Sequence, residues 1–295
     1  MSSTPTSTDY SSLSNINFTG GFPTSADLAP SIVFLVIYAF AIPLLLFRWF
    51  RRSDRTTLLI RPTIFLVCRI GMLVIRAYMS KNTYGEGLLI AELVLVSIGF
   101  LFLIEPVIGC WKLQIDSDMS QEDRPRWVKR LATLLKLTLL AAIITAIVGS
   151  SMISQALGSD YYMSVVKSLR HASSVLSFCT VVIAALAAIL TSVKFSLDKR
   201  GTIFILSTAG CLIVVAVYRM VQNFTTDHDA PVNSRVAFWV LQMVFELFAF
   251  LLILGISIPT WFPGDAGRLS RNNTVSAPDV EAYQMRDGQG QPKNY

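Results

Sequence analysis

Histidine is almost missing from this chain: two occur in 295 residues. His171 opens an apolar segment, and His228 stands between Asp227 and Asp229. A zinc hydrolase gathers at least about three His, Asp, Glu or Cys ligands around one metal. No His-x-x-x-His pattern is present, and Asp227, His228 and Asp229 read as a solvated loop, so no metal is expected. Charge is scarce as well. Asp, Glu, Lys and Arg make up 15% of the residues, against about 25% in ordinary soluble domains. There is no phosphate-binding loop and no Gly-x-Ser-x-Gly elbow. The last apolar segment carries no lysine that could hold retinal as a Schiff base. These absences argue against a pump driven directly by ATP, against a retinal protein and against an enzyme, and no cofactor is expected.

What is abundant is apolar sequence, with 53% hydrophobic residues and a mean hydropathy of +0.55. A helix crossing a bilayer needs about 20 mostly apolar residues. Windows of that kind recur near 29–50, 59–79, 88–111, 131–155, 172–194, 202–222 and 236–258. The fold expected is all-α, a polytopic membrane protein with a seven-transmembrane-helix bundle over 29–260. Residues 1–28 are rich in Ser, Thr, Asn and Pro, and 264–295 are polar, so both ends are expected to be disordered. Cys68, Cys110, Cys179 and Cys211 all fall within spans. They read as small apolar packing residues, with no disulfide between loops.

The net charge of +6 is distributed unevenly. Arg48, Arg51, Arg52 and Arg55 follow the first span, Lys112, Arg124, Arg126, Lys129 and Arg130 lie between the third and fourth, and Lys194, Lys199 and Arg200 lie between the fifth and sixth. The other loops offer only Lys81, Lys167, Arg170 and Arg235, and residues 1–28 contain no Lys or Arg. The positive-inside rule therefore puts the N-terminus outside and the C-terminus, with Arg268 and Arg271, in the cytoplasm. Basic loops of this kind imply contact with membrane lipids and not nucleic acid. Asn17-Phe18-Thr19 is then a glycosylation sequon on the outer side. Trp49, Trp111, Trp261 and Phe262 lie near span ends, where an interfacial aromatic belt is expected.

Ionisable groups inside a span cost at least about 2.5–3.5 kcal/mol at the helix centre, so they pair or mark a pathway. Six are candidates: Arg69, Arg76 and Arg219 against Glu92, Glu105 and Glu246. Arg69 and Arg76 are two turns apart and share a helix face. Counting depth at about 1.5 Å per residue places Arg69 with Glu246 near the middle. The same count gathers Arg76, Arg219 and Glu92 into an outer cluster and leaves Glu105 about 20 Å further in than Glu92. Two readings stand side by side: an ion-pair lattice that fixes helix packing, or a site for an anionic or zwitterionic head group, to which Arg bonds bidentately.

Cys68-x-Ile70 followed by Arg76 recurs as Cys211-x-Ile213 followed by Arg219, a weak echo of the parallel repeats that build some transporters. Val217-Tyr218-Arg219-Met220-Val221-Gln222, Phe238-Trp239-Val240-Leu241-Gln242 and the closing Ile258-Pro259 resemble the fungal lipid-translocating exporters, the aminocholesterol-resistance-like seven-helix family. Arg69-Ile70-Gly71 with Arg76 resembles that family's charged helix more loosely. The resemblance implies a plasma-membrane or vacuolar protein that handles lipid or another amphiphilic small molecule. The motif departs at three points: the family's acidic positions fall at Gln222, at Gln242 and near Arg235. A sister group of fungal seven-helix proteins is the alternative affiliation. The competing functions are a seven-helix receptor and a membrane scaffold. Cys110-Trp111-Lys112-Leu113 does not reproduce the Asp-Arg-Tyr switch of the commonest receptors.

Overall fold

The computed structural model describes residues 21–51, 56–119, 122–156, 159–225 and 230–263. Asn17, Arg52, Arg55, Asp227, His228, Asp229, Arg268, Arg271 and the polar tail lie outside the described residues. Among those described there is no strand, and seven helices are long and apolar enough to cross a membrane. They are α1 (Leu28–Phe50), α2 (Ile60–Met79), α3 (Glu86–Asp118), α4 (Arg126–Ser151), α5 (Asp160–Phe195), α6 (Lys199–Phe224) and α7 (Arg235–Gly255). The end of the bundle where α1 begins is the amino face; α3, α5 and α7 also begin there.

Apolar content makes each helix, with mean hydropathy from 2.1 to 2.6 in the most apolar windows, and local chemistry trims the ends. The Ser234 hydroxyl accepts from the Ala237 N–H at 3.2 Å where α7 starts. The Asp198 carboxylate accepts from the Arg200 N–H at 3.2 Å at the start of α6. Ser196 ends α5 in the left-handed region at φ 49°. α1 and α3 continue through Pro43 and Pro106.

α5 begins twelve residues before the span read from hydropathy, and α3 runs seven residues past its own. Hydropathy detects the part of a helix that lipid surrounds, whereas backbone hydrogen bonding continues into water. At about 1.5 Å per residue, the 36 residues of α5 far exceed a hydrocarbon core of about 30 Å. Arg170 thereby belongs to a helix and not to a loop. Residues 25–27, assigned by composition to the disordered segment, form a short 3₁₀ turn whose Asp27 is fully buried.

α3 is the hub, touching α2, α4, α5, α6 and α7. α6 is the other central helix: 56% of its apolar window is buried, against 28% for α1 and for α4. Phe40, Val193 and Leu190 point outward with other large apolar side chains, as lipid-facing surface requires. Tyr38, Phe65 and Phe250 form a ring cluster with centroids 5.2–5.9 Å apart, joining α1, α2 and α7. Trp111 is not an interfacial residue. It is fully buried and donates to the Thr191 hydroxyl at 3.1 Å, because α3 carries it past the last lipid-facing turn into contact with α5.

Candidate functional site

The charges within the helices are stacked in three layers along the bundle. Nearest the amino face, Arg76 of α2 donates to Glu92 of α3 at 2.5 Å and to Asp27 at 3.4 Å. Asp27 also accepts from the Trp239 indole at 3.2 Å and from the Thr24 backbone N–H at 3.0 Å. Arg235 approaches it at 3.8 Å. The rings of Phe238 and Trp239 flank the Arg76 guanidinium at 4.8 and 5.6 Å. One arginine therefore ties α1, α2, α3 and α7 together, every group of the Arg76, Glu92 and Asp27 set being buried.

In the middle layer Arg69 of α2 pairs with Glu246 of α7, both without exposed surface. Arg69 donates also to the Val96 carbonyl at 3.3 Å and lies over the Phe65 ring. Gln242, one turn before Glu246, donates its amide N–H to the glutamate at 3.2 Å. Gly99 makes room for the guanidinium: a Cβ there would stand 3.4 Å from Arg69 Cζ. Towards the opposite face, Arg61 pairs with Glu105 at 2.6 Å. The pairing of Arg69 with Glu246, the contact of Arg76 with Glu92 and the separate position of Glu105 agree with the depths counted along the helices.

Arg219 does not join the outer cluster. It lies over the Phe100 ring at 5.0 Å and donates to the Val96 carbonyl at 3.5 Å, the same oxygen that Arg69 uses. Depth along a helix says nothing about direction around it, and α6 meets α3 one turn below Glu92, whose carboxylate already serves Arg76. Among the described residues no carboxylate lies within ion-pair distance of Arg219.

Arg219 instead lines a cavity of about 30 Å³ in the amino-face half of the bundle. Five helices contribute to it, among them Ser97 of α3, Ser150 of α4, Arg170 and Ser173 of α5, Gln222 of α6 and Gln242 of α7. No Asp or Glu appears in the lining. Such a space holds two or three water-sized groups. The arrangement can receive an oxyanion, because the Arg219 guanidinium can donate while no carboxylate stands in the wall; the Ser173 hydroxyl already donates to the Ala142 carbonyl at 2.9 Å. Among the described residues no three His, Cys, Asp or Glu side chains gather as a metal site requires.

α7 shapes two of these layers through a π-helical stretch, Phe238–Val244. The wider turn puts Phe238 and Trp239 on Arg76 while Gln242 faces both the cavity and Glu246. π-bulges inside α-helices are frequent at functional sites.

Sequence reasoning missed Asp27, Arg61 and Arg170. Asp27 sat in a polar segment, although Thr24 three residues before it suggests a helix start. Arg61 lay at a span end, where a snorkelling role suffices, and Arg170 lay outside the apolar window.

No curated protein and no solved structure matches the chain. A family model described as domain of unknown function (DUF7702) matches residues 28–260, which takes in all seven helices, and the protein belongs to that family.

Proposed function

We propose that the protein is a non-enzymatic, lipid- or amphiphile-handling membrane protein of transporter type. An oxyanion group of an anionic or zwitterionic head group reaches Arg219 at the cavity while the hydrocarbon tails stay in the bilayer. The observation that carries this reading is the contrast among the arginines. Arg61, Arg69 and Arg76 each pair with a carboxylate, whereas Arg219 faces a cavity whose lining contains none. Arg219 shares the attraction of Glu246 with Arg69, which holds the ion pair; a cation at membrane depth with only a shared counter-ion is costly, and a ligand carrying negative charge offsets that cost. Gln222 and Gln242 line the same cavity, at positions where the lipid exporters that the sequence resembles carry acidic residues. With glutamines there, the site favours an oxyanion over an amine alone.

The charge asymmetry of the loops supports an outside amino face, so that the cavity lies in the outer half of a plasma-membrane protein. The test is flux of fluorescent phospholipid and sphingoid-base analogues between leaflets of liposomes containing purified protein. Flux should require the protein and fall at least about tenfold in a folded Arg219→Gln variant, the loss of one charge-assisted bond. No flux from well-folded protein across several head groups, with and without ion gradients, overturns the transport reading and leaves a receptor or scaffold.

A further inference from the structure

We propose that the arginine end of the amino-face cavity binds a single chloride ion. This goes beyond the head-group reading and does not rest on it: the ion holds the place that a head-group oxyanion takes when it arrives. Charge is the first observation. Arg69 and Arg219 both donate to the Val96 carbonyl, at 3.3 and 3.5 Å, and Glu246 is the carboxylate that both feel. Arg69 holds the ion pair. Two guanidinium groups thus share one carboxylate, Arg170 adds positive charge to the surroundings of Arg219, and the cavity wall contains no Asp or Glu. Water hydrates such a surplus but does not neutralise it, and at membrane depth an unneutralised charge is costly.

The second observation is a pair of hydroxyls. Elsewhere in the bundle such groups are turned back on their own helices: Ser31 donates to the Asp27 carbonyl at 2.6 Å, Thr180 to Leu176 at 2.7 Å and Thr208 to Phe204 at 2.9 Å. Ser97 of α3 and Ser150 of α4 make no side-chain hydrogen bond among the described residues, and both line the cavity. A hydroxyl hydrogen rotates to suit its partner, so these two can donate to the ion that Arg219 attracts. Size is the third. About 30 Å³ admits two or three water-sized groups. A chloride ion is only slightly larger than water, so the ion and a water that serves the glutamine amides fill the space. Sulfate or phosphate, a central atom within four oxygens, cannot enter whole.

The experiment measures equilibrium binding of radiolabelled chloride to the full-length protein in phosphatidylcholine nanodiscs, in gluconate buffer, with unlabelled bromide and sulfate as competitors at constant ionic strength. Binding should saturate, and bromide should displace the label while sulfate does not. A folded Arg219→Gln variant should bind at least about tenfold more weakly, and Ser150→Ala about two- to tenfold more weakly. Lys167→Gln, which removes an exposed charge from α5, should bind as the wild type does. No saturable binding to the wild type overturns the proposal, and so does displacement by sulfate as readily as by bromide. Binding that survives in folded Arg219→Gln, or that falls as far in Lys167→Gln, also overturns it, because general surface charge then holds the ion. If Arg219→Gln does not fold, Ser150→Ala decides, and unchanged affinity there refutes the site. Chloride binding without lipid flux leaves this site standing and refutes only the head-group reading; lipid flux without chloride binding does the reverse.

Discussion

Arg69 and Glu246 offer the sharpest energetic test of how the bundle is held. Both side chains lack exposed surface. Replacing Arg69 with Met leaves Glu246 with only the Gln242 amide N–H as a donor, and of the positive charge around it only that of Arg219, which forms no ion pair with it, remains. Removing one partner of a buried ion pair costs about 3–5 kcal/mol, which is roughly two to three and a half decades in the folding equilibrium. Glu246→Leu strands Arg69 beside Phe65 and the Val96 carbonyl and costs a similar amount. The double variant removes both charges and substitutes apolar volume, so it should recover most of the loss, giving a coupling energy of about 2–4 kcal/mol. The assay is equilibrium unfolding of the purified protein in mixed micelles, read as loss of helicity, on the wild type and all three variants. If either single variant costs under about 1 kcal/mol, or the double variant loses the sum of the two, the pair is not what stabilises the centre. Flux through a folded double variant then decides between packing and transport roles: retained flux makes the pair a lattice element, and lost flux makes it part of the pathway.

Asp27→Ala removes an acceptor of Arg76 and of Trp239 while Glu92 remains. It should cost about 1–3 kcal/mol in the same unfolding assay and expose the Trp239 indole to a polar fluorescence environment; an unchanged emission maximum counts against the contact. Gly201→Ala would place a Cβ 2.8 Å from Phe262 Cε1 and 3.1 Å from Gln114 Nε2. The overpacking cost is about 1–3 kcal/mol and should be relieved by adding Phe262→Leu, so a neutral single variant refutes the close approach. Asn17→Gln should abolish a glycosidase-sensitive mobility shift in protein expressed in a eukaryotic secretory system; a wild type without that shift contradicts an outside N-terminus.

The bundle was legible because lipid imposes a simple rule: each crossing must be a long apolar helix, and composition alone exposes such segments. The pairing of Arg69 with Glu246 was legible for a related reason, since charges at equal depth have few places to go. Azimuth was not legible. Nothing in a one-dimensional count tells which neighbour a residue of α6 faces, and this is why Arg219 was assigned to Glu92. The π-helical turn in α7 was equally hidden, because it arises from how Phe238, Trp239 and Gln242 meet Arg76, Asp27 and Glu246, contacts that exist only after the helices assemble. Asp27 shows a third limit. A polar residue just outside an apolar window resembles a loop residue in composition, yet a single 3₁₀ turn brings it to Arg76.

The two arginines of the short internal echo, Arg76 and Arg219, make the physical distinction that the functional reading needs. Each stands near the amino-face end of a helix that runs towards that face, eight residues after a cysteine. Arg76 is completely buried and held by two carboxylates and two aromatic rings. Moving it would break contacts among four helices, so it acts as a fixed support. Arg219 has one aromatic ring and one carbonyl shared with Arg69, feels Glu246 as a charge that Arg69 already pairs, and lines the cavity. Charge held by carboxylates is already neutralised and has little left to offer a ligand. Charge left beside a polar cavity retains its attraction, and on the function proposed above a bound oxyanion would complete at Arg219 the neutralisation that Glu92 and Asp27 supply to Arg76.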